Sequence, residues 1–164
     1  MTSLLKTTIL AQFEAALSML KECISKCPPE HWDGKIAKYT FWQVAYHTLC
    51  FVDLYLSPTE AQFQTSPVFH PKGMAELDDE YPSRRFTQAE LINYIHVCHE
   101  KLVASLAAET PQSLEGPTGH SRRDFPRAEL YLYNMRHVQH HTGQLSAYLR
   151  RAGVDTRWVS RDWR

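Results

Sequence analysis

No stretch of the 164-residue sequence is apolar for long enough to span a bilayer. Its opening residues also lack a basic leader ahead of an apolar run and a small-residue cleavage site. Those absences point away from a membrane-embedded or exported protein, so the expected location is the cytoplasm. Net charge is missing as well: eighteen Lys and Arg balance eighteen Asp and Glu. No overall field therefore favours nucleic acid, an anionic membrane or an acidic partner. Internal repeats, low-complexity tracts and convincing strand alternation are absent too. Cysteine is limited to Cys23, Cys27, Cys50 and Cys98, all inside helical patterns, which predicts reduced, buried thiols rather than a disulfide scaffold. Cys23 and Cys27 stand one helical turn apart, a spacing that would suit a soft metal or a redox pair. Two small apolar residues near a helix end is the preferred reading.

What remains is enough chain for one compact domain, residues 1–164, with a sizeable core. Ser3 is placed to cap a first helix whose apolar residues Ile9, Phe13, Leu17, Leu20 and Ile24 recur at three- and four-residue steps until Pro28-Pro29. A short turn is expected over Pro29–Gly34. Thr40 and Gln43 form a capping box opening a second helix, with Val44, His47, Phe51 and Leu54 on its inner stripe, closed by Ser57-Pro58. Residues 58–86 hold Pro58, Pro67, Pro71, Gly73 and Pro82 with little periodicity and read as a long irregular crossover. Thr87 and Glu90 make a second capping box for a third helix through Leu91, Ile95, Cys98, Leu102 and Leu106. A polar loop from Ser113 to Pro126 follows. Pro126 suits the first turn of a fourth helix, running to a stop at Gly153. The tail beyond it carries Trp158 and Trp163, which predicts docking on the body or on another subunit. Four long helices imply an all-α bundle.

At 100° per residue, the fourth helix gathers Leu130, His137, His141, Gln144 and Tyr148 into one inward sector, while His140 lies about 80° from its middle. An i, i+4 pair of imidazoles can chelate one metal, and His47 faces inward on the second helix. Each could instead be an ordinary core histidine bonded to a carbonyl or carboxylate. Several neutral imidazoles in one core need partners for their nitrogens, however, and a cation supplies them. Pattern alone weighs the two readings evenly.

The run Arg136-His137-Val138-Gln139-His140-His141-Thr142-Gly143-Gln144-Leu145, continued by Tyr148-Leu149-Arg150-Arg151-Ala152-Gly153, resembles the last-helix signature of the DinB-like (DinB/YfiT) metalloenzymes. The segment Thr40-Phe41-Trp42-Gln43-Val44-Ala45-Tyr46-His47-Thr48-Leu49, with Asp53 and Tyr55-Leu56 after it, looks like that family's first ligand region. The resemblance implies a four-helix bundle with a long crossover between helices two and three. It assigns the three ligand positions to His47, His137 and His141, and leaves His140 outside the set.

Three histidines leave coordination positions open, as in a catalytic site, and imidazole suits Zn(II) or Ni(II) best. Relatives in the resembled family transfer low-molecular-weight thiols, so the resemblance implies a small thiol and an electrophilic substrate as partners. Metal-assisted hydrolysis is the alternative enzyme, and a non-enzymatic bundle with a structural metal, acting in dimerisation or partner binding, is the contrasting class. The resemblance admits a homodimer, although no helical pattern isolates a second apolar face. Asp53 falls on the far side of helix two from His47. Tyr46, Trp42 and Tyr148 read as packing aromatics before pocket residues.

Overall fold

The computed structural model describes residues 2–70 and 84–163. Helices dominate them: α1 (Thr2–Lys26), α2 (Phe41–Leu56), α3 (Gln88–Ala108), a short α4 (Pro111–Glu115) and α5 (Arg127–Arg151). A small antiparallel hairpin, β1 (Lys35–Ile36) and β2 (Tyr39–Thr40), precedes α2. The four helices expected from periodicity are thus α1, α2, α3 and α5. α1 and α2 each pack along both α3 and α5. The apolar stripes meet between them, where Phe13, Leu17, Leu49, Ile95, Leu102 and Leu145 are fully enclosed.

Local chemistry sets the helix starts. Gln43 N donates to Thr40 Oγ1 at 3.4 Å while Thr40 N donates to Gln43 Oε1 at 2.9 Å, the reciprocal arrangement of a capping box. Thr87 and Glu90 repeat it at α3, at 3.2 and 2.8 Å. At the other end of α5, Gly153 takes φ +78°. Val154 N donates to Leu149 O at 2.9 Å and Gly153 N to Arg150 O at 3.1 Å, the paired bonds of a Schellman stop.

Several boundaries differ from expectation. Ser3 lies inside α1, not ahead of it. Pro126 occupies the N-cap of α5, one position before the first turn. α4 interrupts the stretch read as loop: Pro111 opens it and the Thr110 side chain accepts from Ser113 N. Five residues are too few to show a period. The hairpin was likewise too short to register, and its turn places Ala37 in the left-handed region at φ 56°.

Of the expected 58–86 crossover, residues 71–83 lie outside the described residues. The part before them is anchored at its end by His70, which packs against α2 and α3. Asp53 on α2 receives Lys101 Nζ at 2.5 Å and the Tyr94 hydroxyl at 3.0 Å, with His70 Nε2 at 3.1 Å. Burial alone would raise this carboxyl, but the bonds from His70 and Lys101 outweigh it and hold it below its ordinary value.

The tail docks on the body. Asp162 N donates to Ala11 O at 3.1 Å, and Arg157 pairs with Glu22 at 3.1 Å. Trp163 stacks on His99 with ring centres 4.2 Å apart. Trp158, by contrast, is 78% exposed. Among the described residues no helix is long and apolar enough to cross a membrane.

Candidate metal centre

α2 has no fully exposed residue. Twelve of its sixteen positions are buried, and the half-buried remainder, Gln43, His47, Phe51 and Leu54, share one narrow stripe. α5 packs beside α2 and presents His137 and His141 one turn apart, so all three histidines converge at the α2–α5 seam. One ring nitrogen from each lies within 4.8 Å of the others. All three are half-buried, shallower than the core position their inward sector implied. His140, on the same helix, is exposed and outside the cluster.

His137 Nε2 lies 3.2 Å from His47 Nε2. Two nitrogens on one tetrahedral zinc, at about 2.0–2.1 Å from it, stand roughly 3.3 Å apart. The same spacing also fits a single N–H···N hydrogen bond. The donor set and its spacing therefore fit a divalent cation with small adjustments of the rings.

Electrostatics keep His137 and His141 neutral. Burial, helped by His141, His47, His140 and the Arg123 charge, pushes His137 down to about 2. Burial likewise lowers His141 against the opposing bond from Gln144. Neutral imidazoles carry the lone pairs that a metal requires. His141 Nδ1 lies 2.9 Å from Gln144 Oε1. Since that oxygen only accepts, the proton sits on Nδ1 and the Nε2 lone pair is left available. His137 Nδ1 is buried with no hydrogen-bond partner among the described residues, so ring packing orients it: Phe51 at 5.6 Å, His141 at 4.6 Å and His47 at 5.2 Å between centres.

Gln144 shares the sector as expected but is exposed, and it bonds within its own helix rather than to a neighbour. Tyr46 and Trp42 are buried against Phe86, and Tyr148 bonds His31 Nδ1 at 3.1 Å while packing on Phe41. All three serve packing. The aromatic that does border the histidines is Phe51, 4.7 Å from His47 between ring centres. Its place one turn past His47 on the apolar stripe predicts a core residue, whereas the side chain is half-buried beside the histidines. Cys23, Cys27, Cys50 and Cys98 are free and buried, far from thiolate character: burial raises the first three to about 12 and holds Cys98 well above its ordinary value.

No curated protein and no solved structure matches the chain at a significant level. The sequence profile of the DinB family matches residues 1–163, essentially its whole length. With three histidines on α2 and α5 that could hold a metal, the chain belongs to the DinB family.

Proposed function

We propose that this chain is a single-domain, cytoplasmic four-helix bundle of the DinB/YfiT type. In it His47, His137 and His141 hold one divalent transition metal, Zn(II) or Ni(II), to activate a low-molecular-weight thiol for transfer to an electrophile. The observation that carries the reading is the convergence of three imidazole nitrogens within 4.8 Å from two separate helices. A bound divalent cation would favour thiolate over thiol and so supply a nucleophile at neutral pH.

The chain's own residues supply the rest. Three protein ligands leave positions open, and the half-exposed seam admits a small molecule to them. Gln144 fixes the tautomer of His141. Phe51 covers one side of the cluster and limits water there. The protein's own thiols are buried and protonated, so the sulfur nucleophile would come from outside the chain.

Elemental analysis of protein purified without a metal-affinity tag tests the site, with about one metal per chain expected. No metal, together with no binding of Zn(II) or Ni(II), would overturn it. Substituting Co(II) tests the chemistry: adding a small thiol should produce a sulfur-to-cobalt charge-transfer band that His47→Ala lacks. Hydrolysis of an ester or amide panel with no such band would replace thiol transfer by metal-assisted hydrolysis.

A further inference from the structure

Beside the histidines lies a cleft of about 520 Å³, lined by Phe51, Tyr55, Glu60, His120, Arg122 and Arg123 among others. It shares Phe51 with the metal centre. From His47 the rings step along one face of α2, 4.7 Å to Phe51 and 5.6 Å to Tyr55, and the Arg123 guanidinium lies 5.5 Å from the Tyr55 ring. The cleft floor is thus continuous with the histidine cluster.

Its charges are unbalanced. Among the described residues neither Arg122 nor Arg123 pairs with a carboxylate. Arg123 is held in place by neutral groups: Nη2 donates to the Tyr55 hydroxyl at 2.8 Å, and the guanidinium also lies over Tyr133 at 4.8 Å. Its Nε is buried with no hydrogen-bond partner, a donor that costs free energy until an acceptor reaches it. Arg122 is exposed and sits in the left-handed region at φ 59°, an uncommon conformation for a residue with a side chain. Glu60, the carboxylate in the lining, accepts from Ser121 N at 2.7 Å, so two guanidinium groups face one carboxylate that is already bonded.

We propose that this cleft binds the anionic group, carboxylate or phosphate, of an extended substrate whose other end reacts at the histidine cluster. The inference rests on that cluster being the reacting centre. It adds a length: His47 and Tyr55 are eight residues apart on one helix, about 12 Å at 1.5 Å per residue, and with Arg123 beside Tyr55 the anion and the reacting atom stand on the order of 10 Å apart. A planar guanidinium with free donors suits an oxyanion, and a second arginine reinforces it.

The probes are mercaptooctanoate, whose extended chain has about this length, its methyl ester, and the much shorter mercaptopropionate, each titrated into Co(II)-loaded protein. Mercaptooctanoate should bind at least tenfold more tightly than its ester, and mercaptopropionate should gain nothing over its own ester. Arg123→Gln should erase the advantage, read as the ratio of acid to ester affinity within the same variant. Arg122→Gln removes an exposed side chain with no fold partner, and should reduce the advantage about threefold even if the Arg123 variant folds poorly. Equal affinity of acid and ester, or an advantage that survives in the Arg122→Gln Arg123→Gln double variant, overturns the cleft while leaving thiol binding standing. If no thiol gives a cobalt band, the thiol reading has failed and the cleft is judged by calorimetry with suberate. Binding that the double variant loses supports the anion site, and absence of binding overturns it.

Discussion

Replacing Asp53 with Asn tests the packing of α2 most sharply. The carboxylate is 6% exposed and is held by Lys101, Tyr94 and His70. Taking one partner from a fully buried ion pair costs about 3–5 kcal/mol, chiefly because the other charge is left uncompensated. Here the Lys101 side chain is 30% exposed and keeps a bond to Ser57 Oγ at 2.8 Å, so water recovers part of that loss. The expected cost is about 2–3 kcal/mol at pH 7, or roughly 5–10 °C in Tm for a domain of this size. Because the folded carboxyl titrates below the unfolded value of about 3.9, its stabilising contribution is complete above that value. It is lost as pH falls through the folded pKa. Urea denaturation of both proteins should therefore show a gap that is flat from about pH 8 to pH 5 and narrows below about pH 4. A gap under about 1 kcal/mol at pH 7, or one that widens on acidification, would refute this account of the cluster.

Three further outcomes follow from the metal centre and the core. His137→Ala and His141→Ala should each lose tight metal binding while His140→Ala loses far less, because only the first two offer a nitrogen to the cluster; equal losses in a metal titration would reject the assignment. Gln144→Leu removes the acceptor that fixes His141, but Gln144 is exposed and water can substitute, so affinity should fall about tenfold, the low end for such a partner. An unchanged dissociation constant would show that Gln144 positions nothing. With Cys23, Cys27 and Cys50 raised to about 12 and Cys98 well above its ordinary value, native protein at pH 8 should react slowly with a thiol reagent and expose all four cysteines only on denaturation. Rapid labelling of Cys23 or Cys27 in the native state would contradict their burial.

Features governed by near neighbours in sequence were the legible ones. The Thr40/Gln43 and Thr87/Glu90 boxes bond across three residues, so the letters alone specify them. His137 and His141 share a face by helical geometry. Their meeting with His47 depends on which helix lies beside α5, which periodicity does not encode. The angular count was also blind to depth: it put Gln144 in the inward sector, yet the side chain is exposed. Asp53 was correctly set on the far side of α2 from His47, but its partners His70, Tyr94 and Lys101 come from distant positions that no spacing rule connects. The Arg122–Arg123 cleft escaped for a related reason: a loop has no period, and its charges acquire meaning only once folded against Tyr55.

The absence of an exposed residue on α2 bears on which mutations the protein tolerates. An ordinary surface helix has an outer face where substitutions drift with little consequence, usually within about ±0.5 kcal/mol. α2 has no such face, since the stripe not sealed in the core is the one carrying His47 and Phe51. A saturation library should find almost no neutral position between Phe41 and Leu56, with losses of abundance at the twelve buried sites. At His47 abundance should hold while metal binding is lost. α5, which turns Leu132 and Ala147 to solvent outside the histidine run, should accept change freely at those positions. Of the two helices that build the site, α2 would thus be nearly frozen, while α5 keeps an outer face that can change without touching the histidines.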